Sequence, residues 1–165
     1  MWSADIEVKA SEIIAQFTAH GLKVATAESC TGGLISGALT EISGSSAVLD
    51  RGFVTYSNEA KVAMLGVETA TLVAHGAVSR QTAIEMAQGA IAHSAADFAV
   101  AVTGIAGPSG GSAEKPVGLV HLAAAGRNGA LLHREMRYGD IGRSNIRLAT
   151  IRTALDLLTQ IAQAE

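Results

Sequence analysis

Two hydroxyls bracket the single cysteine of this chain in the run Ala27-Glu28-Ser29-Cys30-Thr31-Gly32-Gly33, and those residue types together describe acyl-transfer chemistry. A strand that ends in a nucleophile-rich turn, with a helix starting just after it, sets the nucleophile beside unpaired backbone N–H groups and the positive end of a helix dipole. Such groups hold the oxyanion that forms when a carbonyl is attacked. Ser29 stands at the junction, where open α/β sheets carry their ligand crevices. The same residues also suit a plainer role, with Ser29 or Thr31 capping the helix. The run is neither Gly-x-Ser-x-Gly nor Ser-x-x-Lys, because Gly32 occupies the lysine position. Cys30 is a rival nucleophile, since a helix N-terminus lowers a thiol pKa, although a lone cysteine is commonly a small buried hydrophobe.

A serine hydroxyl needs a base. Of the five histidines, His20 ends a helical segment, His75 precedes Gly76 in a turn, His93 lies near a helix end, and His121 and His133 alternate within strands. None has an obvious orienting acid in sequence. Lys61 is the stronger candidate, one short turn past the second strand in Tyr56-Ser57-Asn58-Glu59-Ala60-Lys61. As a base near neutral pH it requires a pKa depressed by burial or by a neighbouring cation; otherwise it is a solvated helix lysine beside Glu59.

A third element, Thr103-Gly104-Ile105-Ala106-Gly107-Pro108-Ser109-Gly110-Gly111-Ser112, follows an apolar strand directly. It offers many backbone N–H groups with little steric cover, which suits a phosphate or carboxylate. It matches neither Gly-x-Gly-x-x-Gly nor a P-loop, and a flexible surface loop is the alternative. Arg143 and Arg147 open the last helix, where an arginine can bind an anion, depress a lysine pKa or lie on the surface.

These groups are positioned by a regular alternation of elements. Ile6, Ala10, Ile13, Ile14 and Phe17 recur at helical spacing up to Gly21. A strand is predicted over about 22–28 and a helix over about 31–42. Gly44-Ser45-Ser46 reads as a turn, Arg51 to Tyr56 as a second strand, and Asn58 as the cap of a short helix ended by Gly66. Ser79 caps a helix running to about Ser94, with Ala83, Met86, Ala87 and Ala90 inward. The continuous apolar run Phe98-Ala99-Val100-Ala101-Val102 fits a strand covered on both faces. Two further strands meet at Asn128-Gly129 as a hairpin. The last helix, over about 143–163, turns Ile146, Ala149, Ile151, Ala154, Leu155, Leu158 and Ile161 inward. The expected fold is α/β: a three-layer α/β/α sandwich on a mixed, mostly parallel sheet.

With 165 residues, 48% hydrophobic and 16% charged, one compact domain over 1–165 is expected. A net charge of -3 without any Lys/Arg block argues against nucleic-acid binding. One cysteine excludes an internal disulfide and a multi-cysteine metal site. There is no long apolar stretch for a membrane and no secretory leader pattern, so a cytoplasmic protein is expected.

Taken together and in order, residues 26–33, 44–46, 51–61, 75–79, 101–111 and 114–118 resemble the C-terminal domain family of the competence/damage-inducible protein CinA. Stand-alone members of that family are nicotinamide-nucleotide amidases. The resemblance covers nearly the whole chain, with the first segment of about twenty residues and the last helix matching only in pattern. It implies a Rossmann-like α/β/α sandwich, commonly a homodimer. It also implies hydrolysis of nicotinamide mononucleotide (NMN) to nicotinate mononucleotide and ammonia by a Ser–Lys mechanism without metal or cofactor. The family's serine falls on Ser29 and its lysine on Lys61, with Tyr56, Thr103 and Arg143 in supporting places. In this reading the N–H groups around Cys30, Thr31 and Gly32 hold the oxyanion, with Gly33 also against the substrate, and Tyr56 orients Lys61 or relays its proton. Thr103 holds the substrate or the serine, and either the glycine-rich loop with Gly104 and Gly107 or Arg143 binds the phosphate. The competing expectation is a non-catalytic nucleotide-binding or regulatory module. A role in DNA uptake or repair rests on the family's name alone.

Overall fold

The protein is described by a computed structural model covering residues 1–164. In chain order the elements are α1 (Ala4–His20), β1 (Val24–Glu28), α2 (Leu34–Thr40), β2 (Leu49–Val54), α3 (Asn58–Leu65), α4 (Thr69–His75), α5 (Arg80–Ala92), β3 (Phe98–Gly104), β4 (Leu119–Gly126), β5 (Leu131–Arg137) and α6 (Arg143–Gln163). The sheet order is β2-β1-β3-β4-β5. β1 pairs in parallel with β2 and β3, while β4 is antiparallel to both its neighbours, so only β4 runs against the rest.

The period-two alternation of β3 divides the core. Val100 and Val102 join Ile6, Phe17, Ile35, Leu39, Leu122 and Leu155 on the face covered by α1, α2 and α6. Ala99 and Ala101 join Ala25, Ala27, Phe53, Leu65, Met86 and Ala123 on the face covered by α3 and α5. Alanines dominate that second face and let α5 lie close. A Cβ at Gly89 of α5 would stand 2.0 Å from the Leu65 carbonyl at the end of α3, so only glycine fits there. The inward residues expected for α1 and α5 are all buried, and those of α6 are buried except half-buried Ala149.

Several boundaries differ from the sequence-based expectation for identifiable reasons. Gly32 and Gly33 take φ +58° and +99°, which keeps residues 29–33 in a turn and delays α2 to Leu34. Ser57, not Asn58, caps α3 by accepting the Ala60 N–H at 3.0 Å. The unexpected α4 has no buried residue and therefore no apolar stripe to announce it. The glycine-rich segment after β3 is tied down rather than loose: Ile105 N–H donates to Leu119 O at 2.9 Å and Gly118 N–H to Ile105 O at 2.8 Å.

The β1–β2 crossover carries α2 on one face of the sheet, and the β2–β3 crossover carries α3 and α5 on the other. β1 is therefore where the winding reverses, and a crevice opens at its carboxyl end. Ser29 N–H continues the ladder to Val102 O at 3.1 Å, and Thr55 N–H to Glu28 O at 2.9 Å. The last residues of three parallel strands thus converge on one edge.

Candidate active site

That edge holds a cavity of about 320 Å³ lined by Ser29, Cys30, Tyr56, Lys61, Thr103, Gly104, Gly107 and Arg143, among others. Ser29 is 8% exposed there; Lys61 is 1% exposed, a charged residue type in the interior. The first turn of α3 swings the lysine back under β2, and its Nζ meets Ser29 Oγ at 3.0 Å. Nζ also contacts the Thr55 carbonyl at 2.9 Å and the Tyr56 carbonyl at 3.4 Å. No carboxylate pairs with it among the described residues. Burial without an anion disfavours ammonium, so the pKa of Lys61 is pushed down. A neutral amine has two N–H groups for the two carbonyls and one lone pair for the serine proton, which is the stereochemistry of a base.

Cys30 is a poor rival. Burial pushes its thiol up to about 12, overriding the lowering expected at a helix start. The helix-cap alternative fails as well, because Ser29 and Thr31 do not cap α2. Glu28 does, although its role had no sequence signal. This fully buried carboxylate accepts from Ile35 N–H at 2.8 Å, Ser36 N–H at 3.0 Å, Thr31 Oγ1 at 2.6 Å and Thr26 Oγ1 at 3.3 Å. An acid at the start of a helix satisfies orphan N–H donors and complements the dipole.

The predicted site residues divide into two sets. Thr103, Gly104, Gly107 and Arg143 reach the cavity with Ser29, Lys61 and Cys30. Thr31, Gly32 and Gly33 do not line it. The Thr31 hydroxyl turns inward to Glu28, the Gly32 N–H donates to the Ser29 carbonyl at 3.0 Å, and Gly33 faces Val54. Cys30 and Thr31 N–H have no acceptor among the described residues, which leaves them as the turn's free donors.

Tyr56 also departs from expectation. Only its backbone carbonyl meets Lys61, while its exposed hydroxyl accepts from Arg143 Nη2 at 3.1 Å. Arg143 Nη1 donates to the Gly107 carbonyl at 2.8 Å, so one guanidinium ties β2's exit loop to the glycine-rich loop. Thr103 is anchored too, donating to Ala77 O at 2.8 Å.

The histidines lie outside this cavity. Against expectation, one has an acid nearby: His121 Nε2 is 3.6 Å from Glu135 Oε1, and its Nδ1 is 3.0 Å from His133 Nε2. Burial pushes both imidazole pKa values down, aided at His121 by His133 and at His133 by Arg80.

Comparison with known proteins gives consistent results. The family model described as the CinA C-terminal domain matches residues 6–162. The nicotinamide-nucleotide amidohydrolase PncC of Escherichia coli K12 is 52% identical over 143 residues, covering 86% of each chain. A CinA-like protein of Anaeromyxobacter dehalogenans is 49% identical over 146 residues, 88% of this chain and 35% of that protein. The chain spans 33–38% of the length of such longer relatives. Among solved structures, the competence/damage inducible protein CihA from Agrobacterium tumefaciens superposes with a TM-score of 0.98 at 69% identity, covering 98% of both chains. No helix among the described residues is long and apolar enough to cross a membrane.

Proposed function

The chain belongs to the CinA C-terminal domain family, and from that premise we propose that it is an amidase that hydrolyses the carboxamide of NMN to nicotinate mononucleotide and ammonia. The observation that carries this reading is the buried, anion-free Lys61 amine at 3.0 Å from Ser29 Oγ. Neutral Lys61 takes the hydroxyl proton as Oγ bonds to the carboxamide carbon. The oxyanion is held by the free N–H of Cys30, which lines the cavity beside Ser29. The C–N bond then breaks as the lysine ammonium returns its proton to the departing nitrogen, leaving ammonia and an acyl ester on Ser29. Water, deprotonated by Lys61, attacks that ester; the acid leaves and the serine is restored. The phosphate of the substrate sits at the rim, between Arg143 and the loop from Gly104 to Gly110. The same reading carries a cytoplasmic location, a role in pyridine-nucleotide salvage, a homodimer and a single domain over 1–165.

Ammonia release from NMN by the purified protein, measured beside Ser29→Ala, tests this directly. Release by the parent and none by the variant is expected. Full release by Ser29→Ala overturns the assignment, and tight NMN binding without any release by the parent makes the chain a nucleotide-binding module.

A further inference from the structure

One side chain that the reaction above does not use grips the nucleophile turn. Arg147, half-buried on α6, donates from Nε to the Cys30 carbonyl at 3.1 Å and from Nη2 to the Thr31 carbonyl at 3.2 Å. No Asp or Glu pairs with it among the described residues. Its charge therefore stands behind the turn without a direct counter-ion. A Cβ on Gly32, at φ +58°, would lie 3.5 Å from Nη2, so the turn and the guanidinium fit closely.

A trans peptide points its N–H opposite its carbonyl, so fixing one fixes the other. Holding the Cys30 carbonyl sets the direction of the Thr31 N–H. Holding the Thr31 carbonyl sets the Gly32 N–H, which donates to the Ser29 carbonyl at 3.0 Å. That bond in turn sets the Cys30 N–H, a donor without an acceptor among the described residues, at a residue lining the cavity beside Ser29. Three consecutive peptide planes are thus referred to one planar fork, a geometry lysine cannot reproduce.

We propose that Arg147 is a positioning residue: it locks the peptides from Ser29 to Gly32 so that the turn presents its free N–H to the developing oxyanion, with positive charge behind it. The proposal rests on Ser29 being the nucleophile but not on NMN being the substrate. The test therefore reads the rate at which a fluorophosphonate probe labels Ser29, followed by mass spectrometry, alongside ammonia release from NMN. Arg147→Ala and Arg147→Lys should each label about 30-fold more slowly than the parent, somewhat less than the loss of an oxyanion donor outright. KM for NMN should stay within about threefold, as expected when only transition-state binding is weakened. Methylguanidinium should restore the rate of Arg147→Ala saturably and leave Arg147→Lys unchanged. Arg152→Ala, on the same helix but bonded to Asp5 and Ser3, should label at the parent rate and controls for a loosened α6. Labelling of Arg147→Lys within about threefold of the parent overturns the proposal. So does an Arg147→Ala rate that methylguanidinium does not raise. If Arg147→Ala does not fold, the lysine variant decides. A parent that labels at Ser29 but releases no ammonia from NMN overturns the substrate reading and leaves this one standing.

Discussion

Lys61 Nζ stands 3.0 Å from Ser29 Oγ across 32 positions of sequence, and its other hydrogen-bond partners among the described residues are the Thr55 and Tyr56 carbonyls. An ammonium in that position has lost water and gained no anion, whereas a neutral amine is fully satisfied. The interior that makes the lysine costly to charge is what fits it to take a proton from serine.

Removing either member should abolish turnover without loosening the fold. Ser29→Ala and Lys61→Met are each expected to lower ammonia release by about 10⁴-fold or more, as when a nucleophile or its base is deleted. Lys61→Met replaces the buried amine by an apolar chain of similar length, so its thermal midpoint should equal or exceed the parent's. Cys30→Ala should retain activity within about threefold, because a thiol titrating at about 12 is protonated at neutral pH. A steady-state ammonia assay with a thermal melt checks all three.

The pH dependence follows from the sign of the lysine shift. The Lys61 pKa is lower folded than unfolded, so between the two values the unfolded chain binds more protons. Stability therefore rises with pH through that window, and the penalty is fully present below the folded pKa. The melting difference between parent and Lys61→Met should narrow as pH climbs toward the ordinary lysine value. kcat/KM should rise through the folded pKa, the lower edge of that window, and level off above it once the amine is neutral. A flat parent profile, with the melting difference constant, would contradict the assignment.

That Ser29 and Lys61 follow closely on β1 and β2 was readable in the sequence, although only β1 is an apolar-leaning run and β2 is Leu-Asp-Arg-Gly-Phe-Val. The core faces of α1, α5 and α6 were legible through their spacing. Glu28 was not: apart from Thr26 its partners lie three, seven and eight residues on, and they meet it because Gly32 and Gly33 hold the chain in a turn at positive φ. Arg147 was visible as an arginine near the start of α6, but its two acceptors are more than a hundred positions away. The resemblance gives Tyr56 a part in orienting Lys61 or relaying its proton; its carbonyl meets the lysine, while the exit from β2 turns its hydroxyl outward to Arg143, a contact 87 positions away in sequence.

Glu28 should be a stability residue as much as a site residue. Glu28→Ala strands the Ile35 and Ser36 N–H groups and the Thr31 hydroxyl in the interior, at a cost of about 3–5 kcal/mol. Glu28→Gln keeps one acceptor oxygen but turns an NH₂ toward donors, costing about 1–2 kcal/mol. Urea unfolding at unchanged slope measures both. Because Thr31 is held by the same carboxylate, the glutamine variant should also lose turnover while remaining folded.

Arg143 and Tyr56 test where the phosphate binds. If the guanidinium receives it, Arg143→Ala removes a charge-assisted bond and raises KM for NMN about 10- to 100-fold, with kcat much less affected. Nicotinamide riboside, which has the same carboxamide but no phosphate, should show no such change. Tyr56→Phe deletes only the hydroxyl that accepts from Arg143, leaving the carbonyl that meets Lys61. Its effect should therefore follow Arg143's, as a modest rise in KM with kcat within about threefold. A kcat loss of about 100-fold in Tyr56→Phe at unchanged KM would instead return the hydroxyl to the proton path. Measured on both substrates, the two variants separate an anchoring role from a chemical one, since anchoring disappears when the phosphate does and proton transfer does not.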